Sequence, residues 1–207
     1  MNTIQFSEIK YSWNKAHGEI LNIPFWEVKK GERIFLEGPS GSGKTTLLRA
    51  LLGLVPETEG EILWHGKNIK QVENNFYKSC FYQGHKLGIK KSLTVLENLK
   101  HPNFPLISKK EKLYSAAKKV GISDLMHRVS SNLSVGQIKR IALARLLICD
   151  FDLYLIDEPF TALDNEGTDL IQSIIAELNN RGSSFLVTGH RESELISDKI
   201  YLGDTDE

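Results

Sequence analysis

The chain has 207 residues, of which 41% are hydrophobic and 25% charged, enough for one large domain with its own core or two small ones. Its 26 lysines and arginines balance its 26 aspartates and glutamates, so the composition predicts no basic field to gather nucleic acid and no polybasic tail for anionic lipid. The longest apolar stretch, Ile141 to Phe151, contains Arg145 and Asp150 and falls well short of the ~20 apolar residues that cross a bilayer. The first ten residues lack the basic start and apolar run of a secretion signal. Cys80 and Cys149 lie in apolar surroundings without metal-ligand spacing, which predicts buried free thiols in a reducing compartment.

In chain order, Thr3–Phe6, Lys10–Trp13, Glu19–Ile23 and Phe25–Val28 alternate in strand fashion, with turns at Asn14-Lys15 and Lys30-Gly31, and predict an antiparallel opening. Glu32 to Glu37 reads as a strand running into Gly38-Pro39-Ser40-Gly41-Ser42-Gly43-Lys44-Thr45, which matches the phosphate-cradling pattern G-x-x-x-x-G-K-[ST]. Thr46 to Leu52 is rich in helix formers and closes at Gly53. Glycines at 38, 41 and 43 let backbone N–H groups turn inward on an anion, and the new helix points its positive end at the same place. Lys44 is then expected to reach the β- and γ-phosphates, and the Thr45 hydroxyl to ligate Mg²⁺.

Glu61 to Lys67 repeats the strand-turn pattern, and Cys80-Phe81-Tyr82 looks like a short buried strand. From Leu93 to Lys119 apolar residues recur at helical spacing, with His101 to Pro105 as punctuation, and this predicts a helical insertion. After it come a helix over Val135–Cys149, an apolar strand over Leu153–Ile156, an amphipathic helix over Asp169–Leu178 and a buried strand over Ser184–Thr188. That order implies an α/β fold with a parallel sheet covered on both faces. The strand at 153–156 ends in Asp157-Glu158. Ligands in such sheets bind beyond the carboxyl ends of the strands, so Asp157 is expected to meet the Mg²⁺ through water, and Glu158 to orient the attacking water or accept its proton. Ser134 and Gln137, at the start of the Val135 helix, also fit a capping box.

Leu133-Ser134-Val135-Gly136-Gln137, Asp157-Glu158, Ala162-Leu163-Asp164 and His190 after the strand ending at Thr188 resemble, in order, the signature, catalytic, dimer-loop and switch motifs of ATP-binding cassette (ABC) ATPases. The similarity covers essentially the whole chain. It implies a P-loop NTPase of the ABC type with a mixed or parallel sheet core and an N-terminal antiparallel β subdomain. The domain is expected to span residues 1–207, with the helical subdomain inserted at about 86–145. The resemblance further implies ATP and Mg²⁺ bound between two head-to-tail copies. Lys44, Thr45, Thr46 and the loop of one copy would face Ser134, Gly136, Gln137 and Asp164 of the other, with His190 at the γ-phosphate and Trp13 or Tyr11 stacked on adenine. The position joining the Mg²⁺ site to a membrane partner falls on His85 by spacing, with Gln83 as the other candidate. Val135 stands where most members have glycine. Tyr82 to Lys90, Gly60 to Trp64 and Asp157 to Ala162 resemble the ATP-binding subunits of haem exporters of cytochrome c maturation, whereas the first thirty residues look more like ATPases of lipoprotein-release and macrolide-type permeases. The implied setting is peripheral, on the cytoplasmic face of the inner membrane, against an integral membrane permease and with no nucleic acid. The rival classes are a soluble ABC protein of repair or translation and a non-hydrolysing regulator. The first needs long insertions or a second cassette, and Glu158 argues against the second.

Overall fold

The computed structural model describes residues 2–11, 21–55, 59–100, 110–161, 163–189 and 198–202. They fall into two compact units: residues 1–84, 151–161 and 175–207 form the first, and residues 85–150 and 162–174 the second.

The first unit holds two sheets. The antiparallel sheet has the order β2-β1-β4-β5, from β1 (Asn2–Tyr11), β2 (Leu21–Lys29), β4 (Glu59–Trp64) and β5 (Lys67–Asn68). As far as the described residues reach, the four short stretches read from the first thirty residues belong to two long strands, and the expected turn at Asn14-Lys15 lies outside the described residues. Pro24 does not interrupt β2, because β2 is an edge strand, where a missing N–H is tolerated. The second sheet is parallel throughout, with the order β6-β7-β8-β3-β9: β3 (Arg33–Glu37), β6 (Cys80–Gln83), β7 (Leu153–Asp157), β8 (Ser184–Thr188) and β9 (Asp198–Tyr201). Every residue of β7 and β8 is buried, as their apolar runs require of central strands.

Alternation along the parallel strands sorts the core into two layers. Ile34, Leu36, Leu153, Leu155 and Leu186 join Leu47, Leu48 and Leu51 of α1 (Lys44–Leu51), together with Ile4, Ile62 and Trp64 of the antiparallel sheet. The alternate positions carry aromatics: Tyr154 is fully buried and stacks on Phe185 with centroids 4.9 Å apart. Each such burial contributes roughly 1.5–3 kcal/mol, and the central strands that carry the candidate site are buried along their whole length. Helix α2 (Glu73–Ser79) and strand β9 have no counterpart in the sequence reading.

The second unit is built from α3 (Val95–Leu99), α4 (Lys110–Lys119), α5 (Val135–Ile148) and the first part of α6 (Asn165–Asn180). The predicted punctuation at 101–105 lies outside the described residues. Helix α6 starts four residues before the predicted Asp169, because Asp164 accepts a hydrogen bond from the Gly167 N–H at 2.8 Å and so caps it. Asn98, fully buried, donates to the carbonyls of Lys90 and Thr94 and to Ser130 Oγ, and accepts from the Lys90 N–H. Arg145 of α5 donates to the carbonyls of Leu87, Gly88 and Asn98. Burial lowers its pKa to about 10, which keeps it charged at neutral pH. Together these two side chains brace the segment that follows His85. Cys80 and Cys149 are buried free thiols, as expected, and burial pushes both thiols up in pKa.

Candidate nucleotide site

Parallel strands place their carboxyl ends at one edge, and the candidate residues of the first unit collect there. Strand β3 ends at Glu37, the chain turns through residues 38–43, and α1 begins at Lys44. Gly43, with φ 92°, is the N-cap of α1 and offers no side-chain hydrogen bond, so the first amides of the helix are left for an anion. The Lys44 side chain folds back over the loop, its ammonium donating to the Gly38 carbonyl at 2.7 Å and the Pro39 carbonyl at 2.8 Å. Ser42 Oγ is buried without a hydrogen-bond partner. A cavity of about 180 Å³ opens above the loop, lined by Ser40, Gly41, Gly43, Lys44, Thr45, Thr46 and Glu158. A buried ammonium, an unsatisfied hydroxyl and uncapped amides around one cavity suit a polyphosphate.

Asp157, the last residue of β7, is buried. Thr45 Oγ1 donates to its carboxylate, 3.0 Å from Oδ2 and 3.1 Å from Oδ1, and Thr188 Oγ1 donates to Oδ1 at 2.6 Å. The Thr45 hydroxyl and the Asp157 carboxylate are hard oxygen donors facing one another, a pairing that suits Mg²⁺ completed by phosphate oxygens and water. Among the described residues no group of three or more His, Cys, Asp or Glu could hold a metal by itself.

Glu158 follows in the left-handed region, φ 53°, an uncommon state for a side-chain-bearing residue that costs of order 1–3 kcal/mol. Its N–H donates to the carbonyl and to Oγ1 of Thr188, while the Thr161 N–H and Oγ1 donate to its carbonyl and to Oε2. The turn places Glu158 in the cavity wall with Lys44 and Thr45.

The sequence reading did not assign Thr188 or Thr161 to the site. The signal for Thr188 was available in part, as a hydroxyl closing an otherwise apolar buried strand. Its partner, Asp157, is set by the β7–β8 register. Replacing Thr188 by valine keeps the shape, removes both hydroxyl bonds and leaves a buried carboxylate one donor short. The expected results are a stability loss of about 1–3 kcal/mol in thermal melts and a clear fall in ATP turnover by phosphate release.

In the second unit, Ser134 and Gln137 form the capping box of α5: the Gln137 N–H donates to Ser134 Oγ at 3.2 Å and the Ser134 N–H to Gln137 Oε1 at 3.0 Å. Val135, the first residue of the helix, is 75% exposed, and a Cβ added at Gly136 would lie 4.0 Å from Ser134 Oγ. Gln83 ends β6 in register with Ile156, one position short of Asp157, and is buried, whereas His85 is an exposed residue opening the second unit. Trp13, Ala162 and His190 lie outside the described residues, as does the side chain of Tyr11.

The cytochrome c biogenesis ATP-binding export protein CcmA of Hahella chejuensis is 37% identical over 185 residues, covering 88% of this chain and 87% of its own. The protein of the same description from Vibrio vulnificus is 36% identical over 190 residues, covering 88% and 91%. Among solved structures, a dimeric ATP-binding cassette in a post-hydrolysis state, bound to ADP and Pi, matches with a TM-score of 0.83 at 23% identity over 96% of this chain and 94% of that one. A parallel sheet with a glycine cradle after β3 and an acidic end on β7 defines the P-loop class of nucleoside triphosphatases. The family model described as ABC transporter matches residues 21–161, and the chain belongs to that family as its ATP-binding, ATP-hydrolysing cassette.

Proposed function

We propose that this cassette is the motor subunit of an export system serving cytochrome c biogenesis, driving a separate integral membrane permease whose cargo is haem. The observation that carries the motor reading is the cluster at the end of β7. Thr45 and Thr188 both bond the Asp157 carboxylate, and Glu158 is turned into the wall of the phosphate-sized cavity. The cargo reading is supported by the description shared by the relatives that match most of the chain.

In this reading the loop amides and the Lys44 ammonium take the β- and γ-phosphates, the lysine exchanging two carbonyl partners for phosphate oxygens. Thr45 and Asp157 would hold Mg²⁺, the aspartate through water, and the ion would supply neutralising charge for the transferred phosphoryl group. Glu158 orients the attacking water and accepts its proton, and His190 contacts the γ-phosphate. A second copy closes the site with Ser134, Gly136, Gln137 and Asp164, while Thr46 and Trp13 complete the nucleotide contacts. Gln83 or His85 relays the state of the site to the permease. The cassette works at the cytoplasmic face of the inner membrane as a peripheral subunit. Among the described residues no helix is long and apolar enough to cross a membrane.

Deleting the gene from its native host is expected to abolish haem-stained c-type cytochromes, with restoration by the wild-type chain and not by Lys44→Ala. Normal c-type cytochromes in the deletion strain would remove the haem assignment while leaving the ATPase reading in place.

A further inference from the structure

Two threonines flank the acidic end of β7, and they restrain its two carboxylates differently. Thr188, in the neighbouring strand, donates its hydroxyl to Asp157 Oδ1 at 2.6 Å and accepts the Glu158 N–H on its carbonyl and its hydroxyl. These bonds fix the Asp157 side chain and the backbone of Glu158. They do not fix the Glu158 carboxylate, which is separated from that backbone by several rotatable bonds.

Thr161 supplies the missing restraint. Residues 158–161 form a turn closed by the Thr161 N–H on the Glu158 carbonyl at 3.2 Å. Pro159 stands at the second position of this turn, where its ring presets the φ the turn requires. The turn carries the Thr161 side chain back to residue 158, where Oγ1 donates to Glu158 Oε2 at 3.2 Å. That is a loose contact, of the kind that tightens when substrate enters. Glu158 is half-buried in the cavity wall, whereas Thr161 is exposed.

The chemistry of this donor suits a base. A lysine or arginine in its place would favour the ionised carboxylate and so weaken it as a proton acceptor. A hydroxyl is neutral and donates a single hydrogen bond, so it orients the carboxylate without neutralising it.

We propose that Thr161 is a positioning residue for hydrolysis: its hydroxyl holds Glu158 Oε2 and so turns the carboxylate toward the water that attacks the γ-phosphate. This rests on the reading of Glu158 as the base. In the step itself the water oxygen bonds to the γ-phosphorus, the bond to the leaving ADP oxygen breaks, and the water proton passes to Glu158. Thr161 keeps its own proton throughout.

The test is a double-mutant cycle on the full chain, read as release of labelled phosphate from ATP alongside nucleotide binding and melting curves. Thr161→Val keeps the branched shape and removes the hydroxyl. It should lower kcat by on the order of tenfold with KM, nucleotide affinity and melting temperature unchanged. Thr161→Ser, which keeps the hydroxyl, should recover most of that loss. Added to Glu158→Gln, Thr161→Val should cost less than about twofold more, because no base remains to be oriented. Wild-type kcat in Thr161→Val, a loss that falls on KM, no recovery with serine, or an equal loss in both backgrounds would overturn the proposal. If Thr161→Val melts early, Thr161→Ala takes its place in the cycle. Failure of the underlying reading looks different: Glu158→Gln alone would then turn over ATP like the wild type.

Discussion

Replacing Glu158 by glutamine is expected to lower ATP turnover by about 10²- to 10³-fold while ATP binding survives, the size of effect seen when a positioned general base is lost. The substitution keeps volume and shape, so the cavity beside Lys44 and Thr45 is preserved. The left-handed backbone is held by the Thr188 carbonyl and hydroxyl through main-chain contacts that the amide does not disturb. Thr161 Oγ1 can still donate to the side-chain oxygen of glutamine. What disappears is an oxygen able to take a proton from water. Phosphate release and equilibrium nucleotide binding, measured on the same preparation, separate the two effects. The trapped ATP complex should also bring two copies together on size exclusion. Unchanged turnover would take Glu158 out of the reaction.

Gly38→Ala is expected to be the most destabilising single change in the loop. The residue has φ 152°, and a Cβ there would sit 2.1 Å from the Leu202 carbonyl oxygen and 2.6 Å from Ser42 Oγ. The Leu202 oxygen is backbone and cannot swing aside, because the Leu202 N–H donates to the Glu37 carbonyl at 2.7 Å, at the point where β9 lies against β3. Relief requires β9 or the cradle to move. The cost should be at least about 3 kcal/mol, or a fall of roughly 6–12 °C in melting temperature for a chain of this size. Gly41→Ala provides the comparison. Its Cβ meets nothing within 4 Å, so only the strain of φ 86° remains, of order 1 kcal/mol. Melting curves that rank the two variants equally would contradict the packing between the loop and β9.

What could be read from the sequence was what is written locally. The cradle, the apolar β7 ending in two acids and the capping box at Ser134 and Gln137 each occupy a few consecutive residues whose types dictate their backbone. Strand β9 escaped because three of its four residues are exposed, so no alternation marks it, and its place beside β3 is set by pairing across the chain. Helix α2 buries only Phe76 and so gives no periodic signal. The start of α6 is masked by Asp164, whose carboxylate reads from the family motif as a nucleotide contact and in the fold caps the helix through the Gly167 N–H. The roles of Thr188 and Thr161 depend on which strand lies next to β7 and on the turn at Glu158, both long-range outcomes.

The lysine that bonds the Gly38 and Pro39 carbonyls ties the loop to the helix that follows it. Its cation satisfies two carbonyl oxygens at once, so the fingers of the loop keep their spacing. In the proposed reading, capture of a nucleotide is an exchange of partners at one nitrogen and needs no refolding of the loop.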